Sequence, residues 1–276
     1  MPQATDNKGS PGRRSEAAPL EAYYTQPELW DLERYEGNAD QRLRARVVAA
    51  MVDSQAESVL DVGCGNGFVT RRLRASKLLV GLDPSEEALS HYDGVRVLAS
   101  GGRLPFADRS FDAVVCVEVL EHLSDELFAK VTNELARVAR NSIVIGVPYR
   151  QDLLEGMTKC AECGCVYHVD LHCRSFNGPE DVAALFPGFC VEAVAYLGHA
   201  RHIASRLFRW LRYALLGPGA ASDFTRCRAC GSAATRTYRD EQGKRLRRWL
   251  FDGLAWRMRK GKNPNWMLAV LGKGTG

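Results

Sequence analysis

Three glycines at alternate positions follow an apolar segment and precede an acidic residue. Residues 59–62 are β-branched and aliphatic apart from one aspartate, as in a buried parallel strand, and Gly63, Gly65 and Gly67 follow. This pattern predicts a tight strand-to-helix turn whose backbone can approach a ligand closely. A second apolar segment ends at Asp83, sixteen residues after Gly67. A carboxylate there can accept hydrogen bonds from ribose hydroxyls, or it can cap the next helix.

Two Cys-x-x-Cys-Gly motifs can supply four thiolate ligands to one ion. Cys160 and Cys163 form the first pair, and Cys227 and Cys230 form the second. The glycine lets the backbone turn so that both thiolates face one ion, and two such pairs make a tetrahedral structural zinc site. The 63 residues between the motifs exceed the usual spacing. The alternatives are cysteines without metal, or a local site that combines the first pair with two of Cys165, His168, His172 and Cys173.

Four motifs occur in order along the first half of the chain. Residues 59–67 read VLDVGCGNG, residues 81–85 read GLDPS, residues 104–112 read LPFADRSFD and residues 118–123 read EVLEHL. They resemble the successive motifs of class I S-adenosylmethionine-dependent methyltransferases, and within these the small-molecule type 11 group. The rival family is the dinucleotide-binding dehydrogenases, whose fingerprint has a third glycine where this chain has Phe68.

The resemblance implies how S-adenosylmethionine would be bound. The glycine turn would hold its methionine end, Asp83 would bind both ribose hydroxyls, and apolar residues would flank the adenine. Many relatives have an acidic residue where this chain has Ser100, so Ser100 or a backbone carbonyl would take over that adenine contact. The predicted cofactor-binding residues are Asp61, Gly63, Cys64, Gly65, Leu82, Asp83, Pro84, Ser100, Leu104, Phe106 and Glu118.

Glu118, Glu121 and His122 follow the predicted fourth strand, at the expected mouth of the pocket. A neutral imidazole at His122 could take a proton from a substrate hydroxyl, which makes His122 the candidate catalytic residue. The alternative is that His122 only orients Glu118 or the cofactor. Tyr23, Tyr24, Trp30 and Tyr35 lie before the first long helix. In the resembled family this leading segment folds over the pocket, although the aromatic rings could equally serve only to pack that helix onto the core.

Strands and helices alternate around these motifs. Strands are predicted near residues 59–62, 78–82, 95–98, 112–117, 142–147, 189–196 and 266–271, with helices at 38–53 and about 124–140. This alternation predicts an α/β fold with a parallel sheet covered on both faces, and such sheets bind ligands at the carboxyl ends of their strands. The expected fold class is a Rossmann-like, doubly wound, mostly parallel seven-stranded methyltransferase fold with a zinc-stapled helical insertion.

Two insertions interrupt the predicted core. The expected core comprises residues 20–148, 179–197 and 264–276, and residues 1–19 are expected to be a disordered tail because they are rich in Pro, Gly, Ser and charge. Residues 149–178 contain the first cysteine pair, and residues 198–263 contain the second within a basic helical segment. Both insertions should leave the sheet at the ligand-binding edge and form a lid there.

Composition and charge limit the possible locations. The chain is 46% hydrophobic, with no apolar run of 18 residues and no signal-like N-terminus, so we expect a cytoplasmic protein. Residues 201–262 contain 16 Lys and Arg against 4 Asp and Glu. Two predicted Trp-bearing basic helices, at 201–216 and 244–260, suit an anionic inner membrane surface, a phosphate-bearing substrate or, less well, an RNA backbone. They could also pack together with solvated charges.

The sequence therefore predicts a methyltransferase that uses S-adenosylmethionine and a structural zinc ion. The expected acceptor is a small molecule, sugar or glycan, and a lipid-linked glycan is one form of this prediction. The expected reaction is O-methylation. The alternatives are an RNA or protein methyltransferase, or a non-catalytic zinc-bearing scaffold. The chain lacks the Asn/Asp-Pro-Pro-Tyr/Phe motif of enzymes that methylate base amino groups.

Overall fold

A seven-stranded sheet forms the centre of the protein in a computed structural model. The structure describes residues 23–73, 78–199, 201–203, 205–220, 222–237 and 261–274, together with residues 249, 251 and 254. The strands are β1 Ser58–Val62, β2 Leu78–Asp83, β3 Val95–Leu98, β4 Phe111–Val117, β5 Ala139–Pro148, β6 Met157–Lys159, β7 Val166–His168, β8 Phe189–Leu197, β9 Arg201–Ile203, β10 Gly261–Asn263 and β11 Trp266–Lys273. The α-helices are α1 Leu32–Gly37, α2 Ala39–Met51, α3 Glu86–Ser90, α4 Asp125–Val138, α5 Pro179–Ala183 and α6 Arg206–Leu216, and short 3-10 helices span Pro27–Trp30, Thr70–Arg72 and Leu120–His122.

The strand order of the large sheet is β3-β2-β1-β4-β5-β11-β8. The first five strands in this order pair in parallel, and β11 is antiparallel to both of its neighbours. The predicted Rossmann-like, mostly parallel fold is confirmed. The order reverses between β1 and β4, and a doubly wound sheet places its ligand crevice outside the carboxyl ends of the strands at this point.

Local sequence explains why the two long helices begin where they do. The side chain of Asn38 accepts hydrogen bonds from the amides of Asp40 and Gln41 at the start of α2. Ser124 caps α4 in the same way by accepting from the amide of Leu127. These contacts satisfy backbone donors that have no partner inside the helix. The predicted helices at 38–53 and 124–140 are therefore present within two residues at either end.

The helices bury apolar side chains on opposite faces of the sheet. Val48 of α2 belongs to a buried cluster with Val59 and Val115. Val131 and Leu135 of α4 belong to the larger cluster on the other face. Burying such side chains stabilises the fold by about 1.5–3 kcal/mol each relative to exposure, and it fixes the loops at the ligand-binding edge.

Both insertions are attached to the sheet at one point. Trp266, the first residue of β11, is in register with Pro148 at the end of β5 and with Leu197 at the end of β8. The segments after β5 and after β8 therefore leave the sheet together, at the edge where β1 and β2 also end. The first segment forms the β6–β7 hairpin, and residues further along both segments lie against each other at the bridge between Cys160 and Thr235.

The second insertion differs from the predicted helix at 201–216. Arg201–Ile203 forms β9, which pairs antiparallel with β10, and α6 begins only at Arg206. The side chain of Ser205 accepts from the amide of Phe208 and so sets this start. The predicted helix at 244–260 and the tail at 1–19 lie outside the described residues, apart from residues 249, 251 and 254. Within the described part of the chain, no helix has the length and apolar character needed to cross a membrane.

Candidate active site

The glycine turn after β1 has a backbone that only glycine adopts easily. Gly63, Gly65 and Gly67 have φ angles of +72°, +53° and +74°. A Cβ atom on Gly63 would lie 2.3 Å from the Val119 side chain, and one on Gly65 would lie 2.8 Å from the ring of Trp30. The turn therefore needs glycine both for its left-handed backbone and for close packing.

Asp83 joins the end of β2 to this turn. Its Oδ2 atom accepts a hydrogen bond of 3.0 Å from the amide of Gly65, and its Oδ1 atom accepts one of 2.9 Å from the amide of Ser85. Burial raises the pKa of Asp83, and the two amide hydrogen bonds oppose the rise. The helix-capping alternative for Asp83 is wrong, because the hydroxyl of Ser85 accepts from the amide of Ala88 and caps α3.

Asp61 lies fully buried beneath the turn. Burial raises its pKa to about 7, a hydrogen bond from Thr70 opposes the rise, and the charge of Asp83 adds to it. A carboxyl group in this state gains from a cation nearby, because an opposite charge favours its ionised form. The predicted contact between Asp61 and the methionine end of the cofactor, which bears an ammonium group, fits this environment.

The remaining predicted cofactor residues have varied surroundings. Leu82 and Leu104 are buried in the main core, and Phe106 packs edge-to-face on Phe111 with ring centroids 4.9 Å apart. Cys64 lies in a small buried cluster with Leu89 and Tyr92, as expected for a small core residue. Pro84 and Ser100 are exposed, and the hydroxyl of Ser100 accepts from the amide of Gly102. Contacts of these residues with the cofactor stay predictions.

Glu118 has a structural contact that the sequence did not reveal. Its Oε2 atom lies 2.9 Å from Nη1 of Arg44 and accepts a 2.8 Å hydrogen bond from Nε1 of Trp266. The Arg44 guanidinium also lies over the Trp266 ring, 4.6 Å from its centroid. Glu118 thus ties α2 to the end of β4 and the start of β11. This use of Oε2 gives Glu118 a positioning role, and its predicted contact with the cofactor stays untested.

The segment before α1 covers the glycine turn. The side-chain amide of Asn66 donates to the carbonyl of Trp30, and the hydroxyl of Ser85 donates to the carbonyl of Tyr24. The indole of Trp30 donates to the same Tyr24 carbonyl. The pKa of the Tyr24 phenol is raised mainly by burial, and Glu121 and Asp83 on either side contribute. Tyr24 therefore lies between the cofactor side of the site and His122. This is the region over which the leading segment is predicted to fold.

His122 lies in a cluster of histidines. Its ring centroid is 4.6 Å from that of His172 and 6.3 Å from that of Tyr24. Its Nε2 atom is 3.9 Å from Oε1 of the fully buried Glu121. Burial lowers the pKa of His122 to about 4, and His168 lowers it further. His122 is therefore neutral at pH 7, but a group with this pKa accepts protons weakly, which disfavours the general-base hypothesis.

The four predicted zinc ligands converge. The Sγ atoms of Cys160 and Cys230 are 3.6 Å apart, those of Cys163 and Cys227 are 3.5 Å apart, and all four lie within 4.8 Å of one another. A tetrahedral zinc ion with Zn–S bonds of about 2.3 Å requires sulfur atoms about 3.8 Å apart. The four thiols fit this geometry.

Both cysteine motifs make the same turn. Gly164 and Gly231 have φ angles of +74° and +75°, and their amides donate to the carbonyls of Cys160 and Cys227 respectively. Burial raises the pKa of the Cys227 thiol, and the amide of Ala229, which donates to its Sγ atom, opposes the rise. The alternative ligands His168 and His172 stack on each other beside His122 instead. The structure thus favours the two-motif arrangement over the local one.

Several residues of this edge escaped the sequence prediction. Arg44 and Trp266 gave no motif, and Gln151, which contacts both His168 and His172, lies in an unremarkable segment. His172 was considered only as an alternative ligand for the first cysteine pair. The signal that could have found it is the EVLEHL motif, which ends at the ligand-binding edge where the first insertion also begins.

Comparisons with known proteins agree with this fold. Residues 60–144 match the family model described as "Methyltransferase domain" (type 11). A "probable S-adenosylmethionine-dependent methyltransferase" of Mycobacterium tuberculosis H37Rv is 32% identical over 153 residues, which are 52% of this chain and 53% of that protein. A tRNA U34 carboxymethyltransferase of Haemophilus influenzae is 30% identical over 106 residues, 33% of each chain. The chain spans about half the length of the first of these relatives and a third of the second.

A solved structure shows the same fold over nearly the whole chain. It is the Burkholderia thailandensis 1,6-didemethyltoxoflavin-N1-methyltransferase with bound 1,6-didemethyltoxoflavin and S-adenosylhomocysteine. It superposes with a TM-score of 0.52 over 99% of this chain and 92% of the other, at 13% sequence identity. At that identity the likeness describes the fold alone.

Proposed function

We propose that the protein transfers a methyl group from S-adenosylmethionine to an acceptor, because residues 60–144 match the model of the type 11 methyltransferase domain. The observation that supports this proposal is the connection between Asp83 and the amide of Gly65. It places a buried carboxylate beside a left-handed glycine turn at the point where the strand order reverses. This is the arrangement that holds a ribose and an adjoining charged group.

The residues of the chain would act mainly by positioning. When bound, S-adenosylmethionine supplies an electrophilic methyl group on a sulfonium. Asp83 would accept hydrogen bonds from the ribose hydroxyls, and Asp61 would face the ammonium group. Tyr24 and Trp30 would exclude water from above the turn. Alignment of nucleophile, methyl carbon and sulfur contributes much of the rate in such a displacement.

For the acceptor, we propose a small molecule, sugar or glycan that is methylated on oxygen. The side of the site opposite the glycine turn is formed by polar groups of Glu121, His122 and His172. A hydroxyl-bearing acceptor can hydrogen-bond to such groups, whereas an apolar acceptor cannot. An RNA or protein acceptor and a non-catalytic scaffold stay as alternatives.

The outer face of the second insertion supports an anionic membrane surface as the place of action. Helix α6 is fixed to the protein by the buried Phe208 and Leu216 and by a 2.5 Å ion pair between Arg209 and Asp152. Its opposite face is exposed: Leu207 is 66% accessible and Trp210 57%. An apolar helical face with Trp, in a segment of high positive charge, binds at the headgroup region of anionic bilayers. A lipid-linked acceptor would be presented at such a surface.

Calorimetry with S-adenosylhomocysteine tests the proposed cofactor directly. The intact protein should bind it, because that product keeps both the ribose and the ammonium group. Mass spectrometry of candidate hydroxyl acceptors incubated with S-adenosylmethionine then tests for a gain of one methyl group. If S-adenosylhomocysteine shows no binding to correctly folded protein, the proposed function is wrong.

A further inference from the structure

A second group of side chains whose types can act as metal ligands lies at the acceptor side of the site. The short helix Leu120–His122 brings Glu121 and His122 against the segment that contains His172. The amide of Cys173 donates a 2.7 Å hydrogen bond to the carbonyl of Glu121, and Arg174 donates to the carbonyl of Leu123. One backbone hydrogen bond and one hydrogen bond from the Arg174 guanidinium therefore hold the two segments together.

One donor atom from each of Glu121, His122 and His172 lies within 4.8 Å of the others. Donor atoms around a transition-metal ion with bonds of about 2.0–2.2 Å are about 3.0–3.5 Å apart. Small rotations of the two rings and the carboxylate would close this difference. Two imidazoles and one carboxylate are a common ligand set for divalent first-row transition metals, and they leave further coordination positions open.

The carboxylate of Glu121 is the most unusual member of the cluster. Its side chain has no solvent exposure, and neither of its oxygens accepts a hydrogen bond from another described residue. Burial of a carboxylate without a partner is costly, whether the group is charged or keeps its proton. A cation bound beside it would remove that cost. The Nε2 atom of His122 is 3.9 Å from Oε1 of Glu121, beyond hydrogen-bond distance, and Arg44 is the cation whose charge acts on this carboxyl.

Neighbouring groups orient His172 for metal binding. Its Nδ1 atom lies 2.6 Å from Oε1 of Gln151, and this contact holds the ring in place. Metal-bound histidines usually donate their second ring N–H to such an oxygen. The ring also stacks on His168, with centroids 4.8 Å apart and planes 4° from parallel. His168 is itself held by the amide of Asp170, which donates to its Nδ1 atom.

From this geometry we propose that Glu121, His122 and His172 bind a divalent transition-metal ion at the acceptor side of the site. This site is separate from the four-cysteine cluster, whose closed set of thiolates leaves no open position. A bound ion would supply Lewis acidity next to an acceptor oxygen. That use rests on the proposed function, whereas the binding of the metal does not.

Cobalt titration of the full chain, purified with zinc at the cysteines, tests the proposal. A second equivalent of Co²⁺ should bind, with weak visible d–d absorption and without the intense sulfur-to-cobalt bands that cysteine ligands give. Glu121→Gln and His172→Ala should each weaken this second equivalent about 10–100-fold or more, as loss of a ligand or its support does. The matched control is His91→Ala, because His91 is a half-exposed histidine that pairs with Glu87 on α3, and it should change nothing.

The zinc content of each variant reports whether it still folds. If His172→Ala has lost zinc from the cysteines, His172→Gln replaces it in the comparison. The proposal is overturned if the wild-type chain takes up no second equivalent, or if that equivalent persists in both Glu121→Gln and the folded His172 variant. Calorimetry with S-adenosylhomocysteine is run on the same samples. Cobalt binding without cofactor binding would support the metal site and reject the proposed function. Cofactor binding without a second equivalent of cobalt would support the proposed function and reject the metal site.

Discussion

The cofactor side of the site and the insertion side are constructed in different ways. Residues 61–83 supply the glycine turn and both buried carboxylates of the cofactor side, and adjacent parallel strands hold them. The insertion side combines residues that follow β4 with residues of two insertions, and the four-cysteine cluster joins positions up to 70 residues apart. One side is thus supported by the sheet itself. For the other side we propose that a zinc ion at the four cysteines holds the segments, whose own buried cluster is small.

This difference predicts that metal loss damages one side and spares the other. Cys227→Ser should release the zinc ion, reducing the content from about one equivalent to zero, and should unfold the insertions at lower temperature. Structural zinc sites in small peptides contribute about 10–16 kcal/mol of binding free energy, so this is the largest effect that we expect. Elemental analysis and thermal unfolding measure it, and Cys190→Ser, at an exposed cysteine on β8, is the control. If Cys227→Ser keeps its zinc while Cys160→Ser loses it, the local site built on the first cysteine pair is the better description.

On the cofactor side, Asp83→Ala should leave the fold intact and weaken binding. Loss of hydrogen bonds between a charged group and the ribose should cost about 1.5–3 kcal/mol of affinity for S-adenosylhomocysteine. Calorimetry measures this difference, with Asp93→Ala as an exposed control of the same type. An unchanged affinity in Asp83→Ala would show that the ribose is held elsewhere and would remove the basis for contrasting the two sides.

Cofactor affinity should also depend on pH through Asp61. The pKa of Asp61 is raised to about 7 in the free protein, and its ionised form is the one that attracts an ammonium group. Below pH 7 the carboxyl must first lose a proton, so affinity should fall by up to about tenfold, or 1.36 kcal/mol, per pH unit. Above about pH 8 it should be constant. Calorimetry from pH 5.5 to 8.5 checks this, and Asp61→Asn should show weaker binding without the slope.

The smallest effect concerns the outer face of the insertion side. Leu207→Ser on α6 should reduce binding to vesicles that contain anionic lipid, by about 1 kcal/mol or less. Leu78→Ser is the matched control, since Leu78 is a similarly exposed leucine at the start of β2. Binding should weaken with salt, because exposed charges are screened over about 8–10 Å at 0.1–0.15 M ionic strength. RNA in the same buffer is the rival ligand, and RNA binding without vesicle binding would favour a nucleic-acid acceptor.

Sequence patterns predicted the sheet well and the boundaries of the insertions less well. All seven strands and helices α2 and α4 were expected, because apolar periodicity and capping residues act over a few positions. The helix predicted from Arg201 failed at its start, because Arg201–Ile203 pairs with Gly261–Asn263 instead. No local signal reports a pairing between residues about 60 positions apart. A strand contact can override helical periodicity in such a segment.

By itself, the sequence determined the strand-to-helix turn at Gly63–Gly67, the acidic residue at Asp83 and the two cysteine motifs. Each of these depends on backbone conformation or spacing within a few residues. Only the tertiary structure decided that the cysteine motifs meet, that Glu118 pairs with Arg44 and Trp266, and that Glu121 lies buried beside His122 and His172. Those contacts arise where separate loops converge at one edge of a twisted sheet. Their free energies depend on burial and on the direction of side chains in space, which no spacing along the chain specifies.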